Sequence, residues 1–268
     1  MKKWIILTAL LWTSVAQAAN CGGGIVCHCG DTVTSNYSMP GDLSCGTGHG
    51  LRISNSVTLD CANHNIYGGG GQPDTYGLYL DGSYFSEIKN CGVFYFDRGI
   101  RFNNSAQYNF VHDTVTGVNG NFSTHVGYGV DFAGSAMANF LLRVIVLGNA
   151  DEGIHIGTNA NLNHVNASVS CGNFRESLYV LGAAWNNIFG NDIGADCYGY
   201  TAGSTSMYMK DGAANYFEWN HFHKGAAHVT GNSYKSMFLF NTYDGGSSYQ
   251  EDCYVPTGQC PSFTITVN

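Results

Sequence analysis

The chain is poor in charge, and poorest in positive charge. Charged residues make up 11% of it, with 11 lysines and arginines against 19 acids. No basic stripe exists to displace counterions from a phosphate backbone, so nucleic acid is excluded as a partner. The same balance disfavours a polyanionic ligand unless positive charge is gathered locally. Long apolar runs are scarce too. After the first residues nothing approaches ~18 consecutive apolar positions, so no membrane insertion is expected. Cys27-His28-Cys29 could suggest a metal centre, but no second matching pair exists, and disulfides are the expected use of these thiols.

What is present points outside the cytoplasm. Residues 1–18 read as a signal peptide: Lys2 and Lys3, a mostly apolar stretch from Trp4 to Val15, then the small-residue cleavage site Ala16-Gln17-Ala18. The protein is therefore expected to be secreted or periplasmic. All ten cysteines follow this segment, and an even number in an exported chain predicts disulfides. Glycine (36 residues) and aromatics are plentiful, which suits many short strands joined by tight turns.

The organising feature is a repeat with uneven spacing. Seven triplets align: LRI at 51, LYL at 78, IRF at 100, VDF at 130, IHI at 154, LYV at 178 and MYM at 207. Their outer residues are apolar and the middle one is mostly polar or aromatic, the period-two pattern of a strand with one buried face. Nine residues after each start stand Asp60, Glu87, Asn109, Asn139, Asn163, Asn187 and Tyr216. Asparagine tolerates the left-handed backbone of a sharp corner, and its amide can bond the equivalent amide one repeat away. Fifteen residues after each start stand Ile66, Val93, Val115, Ile145, Val169, Ile193 and Phe222, read as a second buried strand position.

A common coil of about 22 residues with insertions at one place explains the spacing. Such coils stack at ~4.8 Å into a continuous core. The expected fold is all-β: a single-stranded right-handed parallel β-helix of about seven to eight rungs with terminal caps. The divisions are signal peptide 1–18, N-terminal cap 19–50, repeats 51–228, and a last coil with C-terminal cap 229–268. Cys61 with Cys91, and Cys171 with Cys197, are placed to bridge neighbouring rungs, and Cys253 with Cys260 to close a small loop.

A family resemblance follows from these residues. The stretch CGDTVTSNYSMPGDLSCGTGHGLRISNSVTLDCANHNIYG, residues 29–68, resembles the start of exported bacterial right-handed parallel β-helix repeat proteins of the pectate-lyase-like superfamily. The rungs at 78–228 resemble its carbohydrate-binding and sugar-hydrolase repeats. The resemblance implies the fold and a polysaccharide partner. It leaves function open among lyases, epimerases, hydrolases and non-catalytic binders, since this scaffold hosts all of them. The WxDH and RxPxxR elements of pectate lyases are absent. Gly48-His49-Gly50 matches the GHG of polygalacturonase-like hydrolases by letters, but no acids precede it, and it is read as accidental. The DPHD-like segment of alginate epimerases is also missing.

The middle residues of the triplets give one outward line: Arg52, Tyr79, Arg101, Asp131, His155, Tyr179 and Tyr208. Arg98, Asp151, Glu152, Arg175 and Glu176 precede the strands, while Asp81, Asn103 and Lys210 follow on the same face. The insertions 68–77, 117–129 and 195–206 all come just before a triplet and should wall the line into a groove. For elimination or epimerisation on a uronic acid, His155 would be the base, Tyr179 the proton donor and Arg101 or Arg175 the group that stabilises the substrate carboxylate, with Asp131 orienting the imidazole or raising its pKa. Tyr79, Arg175, Tyr208, Lys210 and Glu152 would contact the sugar chain. Two further classes stay open: a glycoside hydrolase using Asp131 with Asp151 or Glu152, and a non-catalytic carbohydrate-binding or cell-surface module. His221 and His223 alternate on one strand as metal ligands do, with only Asp192 nearby, and no metal site is expected. No cofactor is expected either, apart from calcium in the acidic groove, for which no spaced Asp motif exists. No oligomeric state is assigned.

Overall fold

The computed structural model describes residues 19–253 apart from 198, 204, 224–226, 232, 234 and 245–248. The signal-peptide segment and the Cys253–Cys260 pairing lie outside these residues. The chain forms a right-handed parallel β-helix of three sheets. The first sheet has 11 strands and the other two have nine each. All strand pairs are parallel, with each strand beside its equivalents in the turns before and after. No described segment is an α-helix, and none can cross a membrane as one.

The seven triplets all lie in the first sheet, in the expected register. Leu51 pairs with Leu78, Leu78 with Ile100, Ile100 with Val130, Val130 with Ile154, Ile154 with Leu178, and Leu178 with Met207. These residues are at most 2% exposed and form a column in the core. Burial of each side chain contributes roughly 1.5–3 kcal/mol. Phe102 and Phe132 stack inside it with ring centroids 4.6 Å apart. The stack also extends beyond the seven. Thr32–Val33, Tyr37–Ser38 and Leu43–Ser44 supply a short turn before the first triplet, and Ala227–Gly231, Met237–Leu239 and Thr242–Tyr243 one after the last.

Both other offsets drift by one residue in the middle of the coil. From Leu78 the chain reaches the buried centre of the next sheet at Ile88; from Ile100, Val130 and Ile154 it reaches Val111, Leu141 and Val165, one residue later. The inward positions of the remaining sheet are therefore Val93, Thr116, Val146, Ser170, Ile193 and Phe222. Val115, Ile145 and Val169 are half-buried instead.

The asparagines form the inter-rung ladder that their chemistry suggested, with different members. Asn109, Asn139 and Asn163 are followed by Asn186 and Asn215; Asn187 faces outward. Their amides bond at 2.9–3.2 Å from rung to rung. Two shorter ladders run through Asn119, Asn149 and Asn173, and through Asn191, Asn220 and Asn241. The left-handed conformation falls on the residue before each asparagine: Tyr108, Ala138, Leu162, Trp185 and Ala214. The corner thus turns on one residue and is tied by the next.

Four disulfides lock the coil: Cys21–Cys27, Cys29–Cys45, Cys61–Cys91 and Cys171–Cys197. The two rung-to-rung bridges are those the repeat implied. Cys27 and Cys29 are both oxidised, so neither is free for a metal.

Candidate functional site

The outward face of the first sheet carries the site. Arg52, Tyr79, Arg101, Asp131, His155, Tyr179, Tyr208 and His228 are successive partners across it. Three residues before the central member of four of these strands, a second set joins them: Tyr76, Arg98, Tyr128 and Glu152. A glycine follows each of these in sequence, and the glycines have a packing reason. A Cβ on Gly99, Gly129 or Gly153 would sit 1.9–2.3 Å from Thr116, Val146 or Ser170 in the adjoining sheet. Close approach there lets the chain bend while the preceding side chain stays on the face.

Asp131 is the centre of charge. Although it belongs to the outward line, its side chain is only 3% exposed, because Arg98, Arg101 and His155 cover it. One oxygen, Oδ1, lies 2.9 Å from His155 Nδ1. The other, Oδ2, lies 3.2 Å from both Arg98 Nε and Arg101 Nε, as ion pairs without hydrogen-bond geometry. Arg101 Nη1 donates to Tyr76 Oη at 2.7 Å, and Arg98 Nη1 to Asp97 at 2.8 Å. Both guanidiniums also lie over the Tyr76 ring, and Arg98 over Tyr128. A carboxylate this buried is tolerable only with such compensation.

His155 sits between aromatic rings. Tyr128 stacks on it at 4.7 Å and Tyr179 at 5.6 Å, and Tyr208 continues the stack 5.4 Å from Tyr179. Its Nε2 has no hydrogen-bond partner among the described residues, while Nδ1 is held by Asp131. Burial, and then the Glu152 carboxylate, raise the Tyr179 phenol above its ordinary value, so it stays protonated.

The acids beside His155 behave differently from surface acids. Glu152 is 4% exposed and Asp151 is 6%. Arg175 Nη1 reaches both, at 3.1 Å from Asp151 Oδ1 and 3.5 Å from Glu152 Oε1. Glu152 Oε2 is buried with no partner among the described residues. Burial, then the Asp151 charge, push the Glu152 carboxyl up to about 7. Asp151 is also raised, mainly by burial.

The sequence-selected residues are not all equally near. Arg101, Asp131, His155 and Tyr179 come together, with Glu152 close by and Tyr208 next in the stack. Arg175 is half exposed, with Asp151, Glu152 and Glu176 as its partners. Tyr79 lies two rungs below Asp131, where its hydroxyl accepts from Asn103 Nδ2 at 3.0 Å. Lys210 is exposed, two residues along from Tyr208, and makes no described contact with the His155 cluster.

Two contributors were not anticipated. Tyr76 binds Arg101 and stacks on Tyr79 at 4.8 Å. His49, read as an accidental letter match, stacks on Tyr76 with planes 7° apart. With Thr32, Arg52, Tyr76 and Tyr79, it lines a pocket of about 260 Å³ at the N-terminal end of the same face. Tyr76 stands where Arg98 and Tyr128 stand relative to their triplets, so that shared offset would have found it.

No family model matches the chain, and no curated protein matches its sequence. Solved structures are similar in chain path. The Dettilon tailspike protein is 13% identical at a TM-score of 0.41, over 87% of this chain and 60% of its own. A tailspike mutant of E. coli bacteriophage HK620, in complex with a hexasaccharide, is 11% identical at 0.34, over 87% and 57%. The A-module of the Azotobacter vinelandii mannuronan C-5 epimerase is 11% identical at 0.39, over 92% and 88%. The chain thus spans under two thirds of each tailspike's length.

Proposed function

We propose that this protein is an exported, polysaccharide-active β-helix protein whose first-sheet face carries out proton abstraction on a uronic-acid-containing polymer, as a lyase or an epimerase. The observation that carries the reading is the Asp131–His155 pair: Nδ1 is held at 2.9 Å, leaving Nε2 without a hydrogen-bond partner among the described residues, between two stacked tyrosines. In the neutral imidazole, Nδ1–H donates to Asp131 and the Nε2 lone pair is available to take the C5 proton. Two guanidiniums stand side by side here in a chain poor in positive charge, partly offset by their ion pairs with Asp131 and Asp97. Arg98 and Arg101 each keep Nη2 unbonded among the described residues, available to a substrate carboxylate. Tyr179, kept protonated by burial, donates to the leaving oxygen in elimination or to the opposite face of C5 in epimerisation. The stacked rings of Tyr76, Tyr79 and Tyr208 would offer their edges to sugars on either side of the reacting unit. Four disulfides fit the oxidising space outside the cytoplasm where such a polymer is met.

The test is to incubate the protein with alginate, pectate and glycosaminoglycans in D₂O. Elimination gives unsaturated ends absorbing near ~232 nm, and epimerisation puts solvent deuterium at C5, both consequences of general-base removal of that proton. Binding of a polymer with neither product and no new reducing ends would overturn the catalytic reading in favour of a binding module.

A second reading has its own observation. Glu152 retains a proton up to about 7 beside Asp151, and Arg175 bridges the two. Paired carboxyls, one protonated and one ionised, are the equipment of glycoside hydrolysis. New reducing ends without unsaturation or deuterium would favour that chemistry.

A further inference from the structure

A cluster far from this face has donor chemistry of its own. In one of the nine-stranded sheets, Asp192–Ala195, His221–Phe222 and Thr242–Tyr243 are consecutive strands. Asp192 pairs with His221, and His221 with Thr242. Phe222 is fully buried, between Ile193 and Tyr243 in the ladder. His221 and His223 flank it and so both point outward, with ring centroids 4.1 Å apart. Asp244, just after Tyr243, spans the two imidazoles: Oδ1 lies 2.8 Å from His221 Nε2 and Oδ2 lies 2.7 Å from His223 Nδ1. His223 Nε2 meets Asp192 Oδ1.

We propose that Asp192, His221 and His223 bind a divalent transition metal of the zinc type, with Asp244 as the outer carboxylate that orients His223. Each of the three offers one ligand atom, and these atoms all lie within 4.8 Å of one another. Donors on a tetrahedral ion with bonds of ~2.0–2.1 Å stand about 3.4 Å apart, so small side-chain rotations close the set. Two imidazoles and one carboxylate suit zinc, and are too rich in nitrogen for calcium or magnesium. A ligating imidazole characteristically gives its second nitrogen to a carboxylate, and His223 has Asp192 at Nε2 and Asp244 at Nδ1. Three protein ligands leave a fourth position for water. The side chains are 22–45% exposed, so an ion can enter from solvent.

The bound ion would clamp two successive turns directly, and a third through Asp244, near the C-terminal end of the described coil. A ligand that binds only the folded chain stabilises it according to its concentration over Kd. The site is separate from the Asp131–His155 face, and its test does not depend on any catalytic activity.

The test uses untagged protein stripped by chelator and titrated with Zn²⁺ by calorimetry, then with Co²⁺ by visible absorbance. The expected result is one ion per chain with micromolar or tighter affinity, a Co²⁺ spectrum of nitrogen–oxygen ligation, and a higher unfolding temperature with Zn²⁺. His223→Ala should weaken binding at least tenfold while its metal-free circular dichroism stays that of the parent. Asp192→Asn, a change at a half-exposed position, should weaken binding in the same sense and serves if the histidine variant does not fold. No binding by the parent protein below about 100 µM Zn²⁺, or binding unaffected by either substitution, would overturn the proposal.

Discussion

His155 Nδ1 and Asp131 Oδ1 are 2.9 Å apart, although the two residues are separated by 24 positions in the chain. One turn of the coil puts them side by side as paired residues of adjacent strands. The acid is buried and the imidazole partly exposed, so in the proposed chemistry the pair would have an inner, orienting member and an outer, reacting one. That division of labour separates the effects of replacing each residue.

His155→Ala should lower product formation by ~10²–10⁴-fold, the usual contribution of a positioned general base. Asp131→Asn should lower it over a similar range. It should also cost more stability, up to about 3–5 kcal/mol, because Arg98 and Arg101 lose the buried charge they share. Rates on the responsive polymer, together with urea unfolding of each variant, check both expectations. A His155→Ala protein with the parental rate would remove His155 from the chemistry.

The asparagine ladder gives a prediction about the fold itself. Asn139 accepts from the backbone and side-chain N–H of Asn109, and donates to Asn163 Oδ1 and the Ala106 carbonyl. Asn139→Ala should strand several of these buried groups, at about 1–3 kcal/mol each, for a total of several kcal/mol. Asn187→Ala, at the outward position one residue beyond the ladder, should change stability by no more than ~0.5 kcal/mol. Urea midpoints of the two variants decide between the register of the structure and the constant offset of the sequence.

That comparison marks where the sequence was legible. The triplets could be read because their flanking residues must all be apolar, and any slip would turn the whole set outward. From Arg52 to Tyr208 the line needed only that register. Asn187 could not be told from Asn186, because the corner from the first sheet is one residue longer after Ile100 than after Leu78, and several residue types fit it. The burial of Asp131 and Glu152 was likewise hidden. It depends on side chains from neighbouring rungs: Arg98 and Arg101 in one case, Arg175 in the other. Tyr76 escaped because its partner, Arg101, is reached through its hydroxyl across rungs.

The buried Glu152 carboxyl should leave a signature in the pH dependence of stability. Its ordinary value is 4.5, and burial beside Asp151 raises it in the folded chain to about 7. Between these limits the native state holds a proton that the unfolded chain has released. Stability from this residue is therefore highest below pH 4.5 and falls as the pH rises toward 7, then levels off. At ~1.36 kcal/mol per unit, the loss is on the order of 3 kcal/mol. Glutamine at this position keeps the size and the acceptor toward Arg175 but cannot ionise. Glu152→Gln should thus unfold at nearly the parental urea concentration at pH 4.5 and at a distinctly higher one at pH 7.5. The two curves of stability against pH must diverge in that direction, because only the parent protein has to ionise a buried group. Parallel curves would mean that Glu152 ionises in the folded protein as readily as in the unfolded chain, and the glycoside-hydrolase reading would lose its acid.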